Sequence, residues 1–88
     1  MSEDYKPGER LRIEVSIAAC NVGPTYRRNR RVTAFDNQGR ELHWDSGRGW
    51  RVGFGTTISA TVFGTTTIED TRTGSSTRYT ILRNVREV

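Results

Sequence analysis

The sequence predicts an all-β protein, a closed barrel of five strands with little or no helix. Apolar residues recur at every second position in several segments, whereas no ten-residue segment shows the 3.6-residue periodicity of an amphipathic helix. The chain has 88 residues, so a single core must account for the fold. Closing five strands into a barrel would remove the edges that an open sheet exposes.

The first strand is predicted by strict alternation from Arg10 to Ala19. Leu11, Ile13 and Val15 are separated by Arg12 and Glu14, which is the pattern of a strand with one buried face. The sequence Asn-Val-Gly-Pro at 21–24 ends this strand, because proline lacks a backbone donor and glycine relaxes φ. Residues 1–9 are predicted to be a flexible acidic tail, and residues 10–88 the barrel.

A hairpin is predicted to contain the second and third strands. Residues 30–35 lead into Asp-Asn-Gln-Gly at 36–39, a strong turn signal, and residues 40–45 form the return strand. The link at 46–55 is rich in glycine, which argues against a helix there.

The fourth and fifth strands are predicted to form a second hairpin. Residues 56–68 are dense in threonine, valine, isoleucine and phenylalanine, and Gly64 among them indicates a bulge or a sharp bend. A polar loop at 70–76 follows, and the last strand runs from about residue 77 to residue 88.

The order and spacing of these segments resemble the OB-fold, a five-stranded Greek-key barrel that binds oligonucleotides and oligosaccharides. Ala-Thr-Val-Phe-Gly at 60–64, the loop to Ser76 and the segment at 77–85 resemble the final hairpin of small OB domains in phage and bacterial DNA-metabolism proteins. The hairpin at 35–44 resembles their second and third strands. The resemblance implies a ligand that crosses strands two and three, flanked by residues 21–29 and 70–76, and a role in DNA replication or recombination.

Positive charge is concentrated in the first half of the barrel. The chain has a net charge of +4, and residues 10–51 carry nine arginines against four carboxylates. The densest run is Arg27, Arg28, Arg30 and Arg31, which follows Tyr26. Like charges this close repel one another unless a polyanion is present, so the run predicts contact with a phosphate backbone.

Aromatic side chains on the predicted groove would stack on bases. If Val32 and Trp44 face the core, then Arg31, Phe35 and His43 face the groove; a one-residue shift would instead expose Trp44. Trp50 is expected either to plug the end of the barrel or to lie beside the ligand. The full set of candidate nucleic-acid-binding residues is Tyr26, Arg27, Arg28, Arg30, Arg31, Thr33, Phe35, His43, Trp44, Trp50 and Arg72.

The sequence does not favour an enzyme, a metal site or a bound cofactor. His43 and Asp45 share a strand face, but this geometry is too common to indicate catalysis. One cysteine, Cys20, excludes an internal disulfide, and with one histidine it excludes a zinc site made of Cys and His alone. No apolar run approaches the ~18 residues of a membrane span, and residues 1–4 do not resemble a signal peptide, so we expect a cytoplasmic protein without a membrane partner.

The sequence therefore predicts a protein that binds single-stranded nucleic acid, single-stranded DNA above all, with low sequence specificity. RNA remains open, because nothing in the sequence reports on a contact to a 2′-hydroxyl. A second hypothesis is a protein-interaction barrel, a subunit of a larger complex or a homo-oligomer, in which the arginine run would meet an acidic partner. A third is binding of duplex DNA by charge alone.

Overall fold

Five β-strands form one closed sheet in the computed structural model, which describes residues 5–22 and 30–88. The strands are β1 (Arg10–Val22), β2 (Arg30–Asp36), β3 (Glu41–Ser46), β4 (Gly55–Asp70) and β5 (Ser75–Glu87). The described part of the chain contains no helix, and so none that could cross a membrane. The predicted all-β fold is confirmed.

The strands follow one another around the barrel in the order β1-β2-β3-β5-β4. The long strand β1 pairs with β4 through its first half and with β2 through its second half. A bulge between Ile17 and Ala19 lies on the β2 side. The predicted hairpins β2–β3 and β4–β5 are both present, and the barrel closes through a parallel pairing of β3 with β5.

The core is built from the inward-facing residues of these strands. Val32 and Ala34 on β2 and Leu42 and Trp44 on β3 are all fully buried, which decides between the two phases of the hairpin that the sequence left open. The other buried apolar residues are Leu11, Val15, Ile17, Trp50, Ile58, Ala60, Val62 and Leu82. Trp50 lies in the link 47–54 and packs edge-on against Trp44, with ring centroids 5.2 Å apart.

The hairpin β4–β5 extends beyond the barrel. The register of β4 against β5 shifts between Val62 and Gly64, which is the predicted bulge. Past this bulge, β4 continues to Asp70 and β5 starts at Ser75, so both strands are longer than the predicted ones. Residues 66–78 are exposed and form a two-stranded ribbon.

The turn between β2 and β3 is organised by one carboxylate, Asp36. Gly39 has a φ of +80°, and with Asn37 and Gln38 it forms a three-residue hairpin loop of a common type. Asp36 accepts hydrogen bonds from the backbone amides of Gln38 and Arg40.

The Asp36 carboxylate also joins the turn to the segment that precedes β1. It accepts a hydrogen bond of 2.7 Å from the Tyr5 hydroxyl and a longer one from the Arg40 guanidinium, which lies over the Tyr5 ring. Burial on its own raises the pKa of Asp36, but the bonds from Tyr5, from the two amides and from Arg40 outweigh it and lower the pKa.

Replacing Asp36 with alanine is expected to lower the free energy of unfolding by about 2–3 kcal/mol, because a charged acceptor of several hydrogen bonds is lost. Urea denaturation measures this change. Asp70 is the matched control, since it caps a turn by accepting from the Arg72 amide but is exposed. An equal loss of unfolding free energy in Asp36→Ala and Asp70→Ala would contradict the role given to Asp36 in organising the turn.

Stability is also expected to fall in acid through Asp36. Its pKa is lower in the folded state than the ordinary value of 3.8, so its contribution is present above pH 3.8 and is lost as the pH falls through the folded value. The stability difference between the wild type and Asp36→Asn should therefore narrow in acid. Denaturation at a series of pH values tests this, and a difference that stays constant would contradict it.

Candidate nucleic-acid interface

Three adjacent strands carry half-buried rings on the outside of the barrel. On β2, Thr33 and Phe35 point outward; on β3, His43 does; and on β5, Tyr79 and Ile81 do. We call these five residues the aromatic face. Their outward position follows from alternation, because their neighbours along each strand fill the core.

The strand register arranges the aromatic face in rows. Phe35 on β2 lies opposite Glu41 on β3, and Glu41 lies beside Tyr79 on β5. In the next row Thr33 lies opposite His43, and His43 lies beside Ile81. Phe35 and Tyr79 therefore lie two strands apart in the first row, and His43 lies on the strand between them in the second row. Neighbouring strands are about 4.8 Å apart, so the three rings lie within reach of bases of one bound strand.

His43 and Tyr79 form a stacked pair within the aromatic face. Their ring centroids are 4.2 Å apart and their planes differ by 23°. His43 Nε2 also lies 2.7 Å from a carboxylate oxygen of Glu41, at hydrogen-bonding distance. These contacts hold the two rings in a fixed arrangement, which reduces the entropy lost when a flat ligand stacks on them.

The charges beside the aromatic face are mixed. Arg31 on β2 donates through Nε to Asp45 Oδ1 on β3 at 2.9 Å. Glu41 adds a second carboxylate to the same side of β3. The described part of this surface is therefore not uniformly positive.

A cleft opens where β3 and β5 part. Their parallel pairing spans only three residue pairs and ends at His43 and Ile81. Beyond it lies a cleft of about 340 Å³, which we call the β3–β5 cleft. It is lined by Arg31, Trp44, Asp45, Phe63, Ile81, Leu82, Arg83 and Asn84. Phe63 is 51% exposed, and the Arg83 guanidinium lies 3.8 Å from the centre of its ring.

The structure places four of the predicted site residues together on this side of the barrel. Thr33, Phe35 and His43 belong to the aromatic face, and Arg31 borders the β3–β5 cleft. Tyr26, Arg27 and Arg28 lie outside the described residues.

The other four predicted residues do not belong to the aromatic face. Trp44 is only 1% exposed and Trp50 is buried, so neither ring offers a face to a base. Arg30 has the same phase as the buried Val32, and its guanidinium lies beside the link 47–54. Arg72 is exposed in the turn at the tip of the β4–β5 ribbon.

The sequence analysis missed Tyr79, Ile81, Phe63 and Arg83 as parts of this surface. The alternation of Tyr79 and Ile81 with the buried Thr80 and Leu82 is visible in the sequence. However, the pairing of β5 with β3 is parallel and joins strands that are not consecutive, so no local pattern indicates it.

A second cluster of arginines and rings lies in the link 47–54. The Arg48 guanidinium lies 4.0 Å from the centre of the Trp50 ring, and that of Arg51 lies 4.6 Å from the centre of the Phe54 ring. Arg48 also pairs with Glu87 at 2.8 Å, and hydrogen bonds from Thr56 and from Arg48 lower the pKa of Glu87. The cleft of about 320 Å³ beside this cluster shares no lining residue with the β3–β5 cleft.

The described residues contain no group of three or more His, Cys, Asp or Glu side chains that could hold a metal ion. The chemical groups on this surface are flat rings, arginines and hydrogen-bonding carboxylates.

Comparisons of the chain with protein-family models, with curated proteins and with solved structures found no match.

Proposed function

We propose that this protein binds single-stranded DNA across the aromatic face. The observation that carries the proposal is the group of outward-facing rings, Phe35, His43 and Tyr79, one on each of three adjacent strands. Stacking on such rings contributes about 1–3 kcal/mol per base and tolerates any base. A duplex hides the faces of its bases, so this surface favours single strands.

The fold supports the same proposal. We propose that the barrel is of the OB type, since it has five strands and Greek-key connections that place β5 between β3 and β4. In OB domains the strands that correspond to β2 and β3 carry the ligand, and the loops before β2 and between β4 and β5 flank it. The aromatic face occupies this position, and a cytoplasmic protein of this kind would protect or deliver single strands during replication or recombination.

Arginines at the margin of the face would hold the phosphate backbone. The run from Arg27 to Arg31 leads directly into β2, and Arg31 begins the column of outward residues that continues to Phe35. Arginine suits this role because its guanidinium makes bidentate contacts with phosphate. A single strand fits this arrangement, with its phosphates at the margin of the face and its bases on the rings.

A protein-interaction function is the second candidate, and one observation favours it. Val52 and Phe54 in the link 47–54 are both more than half exposed, next to Arg51. An exposed apolar pair bordered by a cation suits a partner protein. The two candidates depend on different residues, so substitutions separate them.

Removing one ring from the aromatic face is expected to weaken DNA binding about tenfold, because one base loses its stacking partner. The variants are Phe35→Ala and Tyr79→Ala, and the ligand is a fluorescently labelled oligothymidine of about fifteen nucleotides, whose anisotropy reports binding. Phe54→Ala is the matched control, since Phe54 is an exposed ring at a different place. The proposal fails if Phe54→Ala weakens binding as much as the other two, or if a duplex binds as well as the single strand.

Salt dependence is expected to report the arginine contacts. For the wild type, the logarithm of the binding constant should fall with the logarithm of the salt concentration with a slope of about −2 to −4, which corresponds to roughly three to five phosphates. The double variant Arg27→Gln, Arg28→Gln should bind more weakly and reduce the slope by about 1.4.

The control for this change of charge is Arg86→Gln, because Arg86 belongs neither to the aromatic face nor to the lining of the β3–β5 cleft. Its slope should equal that of the wild type. Equal slopes for the wild type, the double variant and Arg86→Gln would show that Arg27 and Arg28 do not contact the bound phosphates.

A further inference from the structure

The β3–β5 cleft combines groups that the stacking face alone does not need. It holds an exposed ring, Phe63, a guanidinium over that ring from Arg83, and the ion pair between Arg31 and Asp45. Trp44 also lines it, with a side chain that is only 1% exposed. The groups that the cleft offers a ligand are therefore those of Phe63, Arg83, Arg31 and Asp45.

Stability does not explain the pairing of Arg31 with Asp45. The two side chains are 41% and 46% exposed, and ion pairs of this kind contribute little to folding. The contact joins one nitrogen of Arg31 to one oxygen of Asp45, which leaves the second carboxylate oxygen and the terminal guanidinium nitrogens outside it. These remaining groups form an acceptor beside a set of donors on the wall of the cleft.

A carboxylate on a DNA-binding surface repels phosphate, so Asp45 has to face a base rather than the backbone. An ionised carboxylate only accepts hydrogen bonds and can accept two in parallel. Guanine is the base that presents two neighbouring donors, N1–H and the exocyclic amino group, on its Watson–Crick edge. The O6 and N7 acceptors of guanine are the usual partners of an arginine.

Phe63 and Arg83 supply the stacking part of such a site. The Arg83 guanidinium lies 3.8 Å from the centre of the ring, and a base that enters can lie against the exposed part of the ring or against the guanidinium plane. The cleft continues from the aromatic face through Ile81, which lines it and belongs to the face. A strand bound on the face can therefore place one base in the cleft.

We propose that the β3–β5 cleft holds one base of the bound strand and selects guanine, with Asp45 accepting from its Watson–Crick edge, Arg31 donating to its acceptors and Phe63 stacking on it. This inference rests on the proposed function. It adds one position at which the base matters to a surface that otherwise tolerates any sequence.

The test compares four oligomers of about fifteen nucleotides, an oligothymidine and three versions of it with a single central dG, dA or dC. The wild type is expected to bind the dG oligomer about fivefold or more tightly than the other three, which is the discrimination of one good bidentate contact. Asp45→Asn should remove this preference and still bind oligothymidine at least as well as the wild type does.

Glu41→Gln is the matched control for the loss of a negative charge. Glu41 lies on the same side of the same strand as Asp45 and also contacts one basic side chain, His43. Glu41→Gln should keep the dG preference. A second variant, Phe63→Leu, keeps an apolar side chain at an exposed position. It should weaken the binding of the dG oligomer more than the binding of oligothymidine.

Three outcomes would overturn the inference. Equal affinity of the wild type for all four oligomers removes the guanine site while the proposed function stands. Loss of the dG preference in both Asp45→Asn and Glu41→Gln would mean that the preference depends on the net charge of the surface and not on a contact with Asp45. Absence of binding to every oligomer, with an unchanged melting temperature in all variants, removes the proposed function together with the guanine site.

Discussion

The short parallel pairing of β3 with β5 is the contact on which the rest of the structure depends. Only three residue pairs form it, from Glu41 with Tyr79 to His43 with Ile81, yet it closes the barrel. Without it, β3 and β5 would each present an open edge, and the core beneath Leu42 and Leu82 would be exposed. The same pairing places Tyr79 beside Glu41 and Ile81 beside His43, and so creates the aromatic face. Where it ends, the β3–β5 cleft begins.

The distribution of aromatic residues indicates that the requirements of folding alone do not account for the aromatic face and the β3–β5 cleft. The core is filled by aliphatic side chains and two tryptophans, and all three phenylalanines lie outside it. Burying a phenylalanine is worth about 1.5–3 kcal/mol, a large amount for a chain that depends on one small core. Phe35 and Phe63 remain at the surface on one side of the barrel, which is understandable if their rings are covered when a ligand binds.

Much of the fold could be predicted from the sequence, because strands and tight turns leave patterns in residues that lie close together along the chain. Alternation located β1, and the turn at Asp36 located the β2–β3 hairpin. The phase of that hairpin could not be decided from the pattern, because a one-residue shift exchanges its two faces; the burial of Val32 and Trp44 decides it. Gly64 predicted a bulge or a sharp bend, because glycine in the middle of a strand often marks a change of register, and the structure has the bulge.

The composition of the surface could be predicted only in part. Phe35 and His43 could be assigned from the phase of β2 and β3, but Tyr79 joins them through a parallel pairing of distant segments. Arg30 shows a different limit. A run of arginines is continuous in the sequence, but strand alternation sends Arg30 and Arg31 to opposite sides, so charge density along the chain overestimates charge density on one face.

The carboxylates on the binding side decide how a strand can lie there. A surface that held only phosphates would be weakened by Asp45 and Glu41, since each adds repulsion in the position where an arginine would attract. Under the proposed function, bases, which carry hydrogen-bond donors, would lie across β3, while phosphates would stay at the arginine-rich margin. Glu41 contacts His43, whereas Asp45 lines the β3–β5 cleft with one oxygen beyond its contact with Arg31. In this proposal the two carboxylates on one strand differ in role: Glu41 would orient a ring that stacks, and Asp45 would meet the edge of a base.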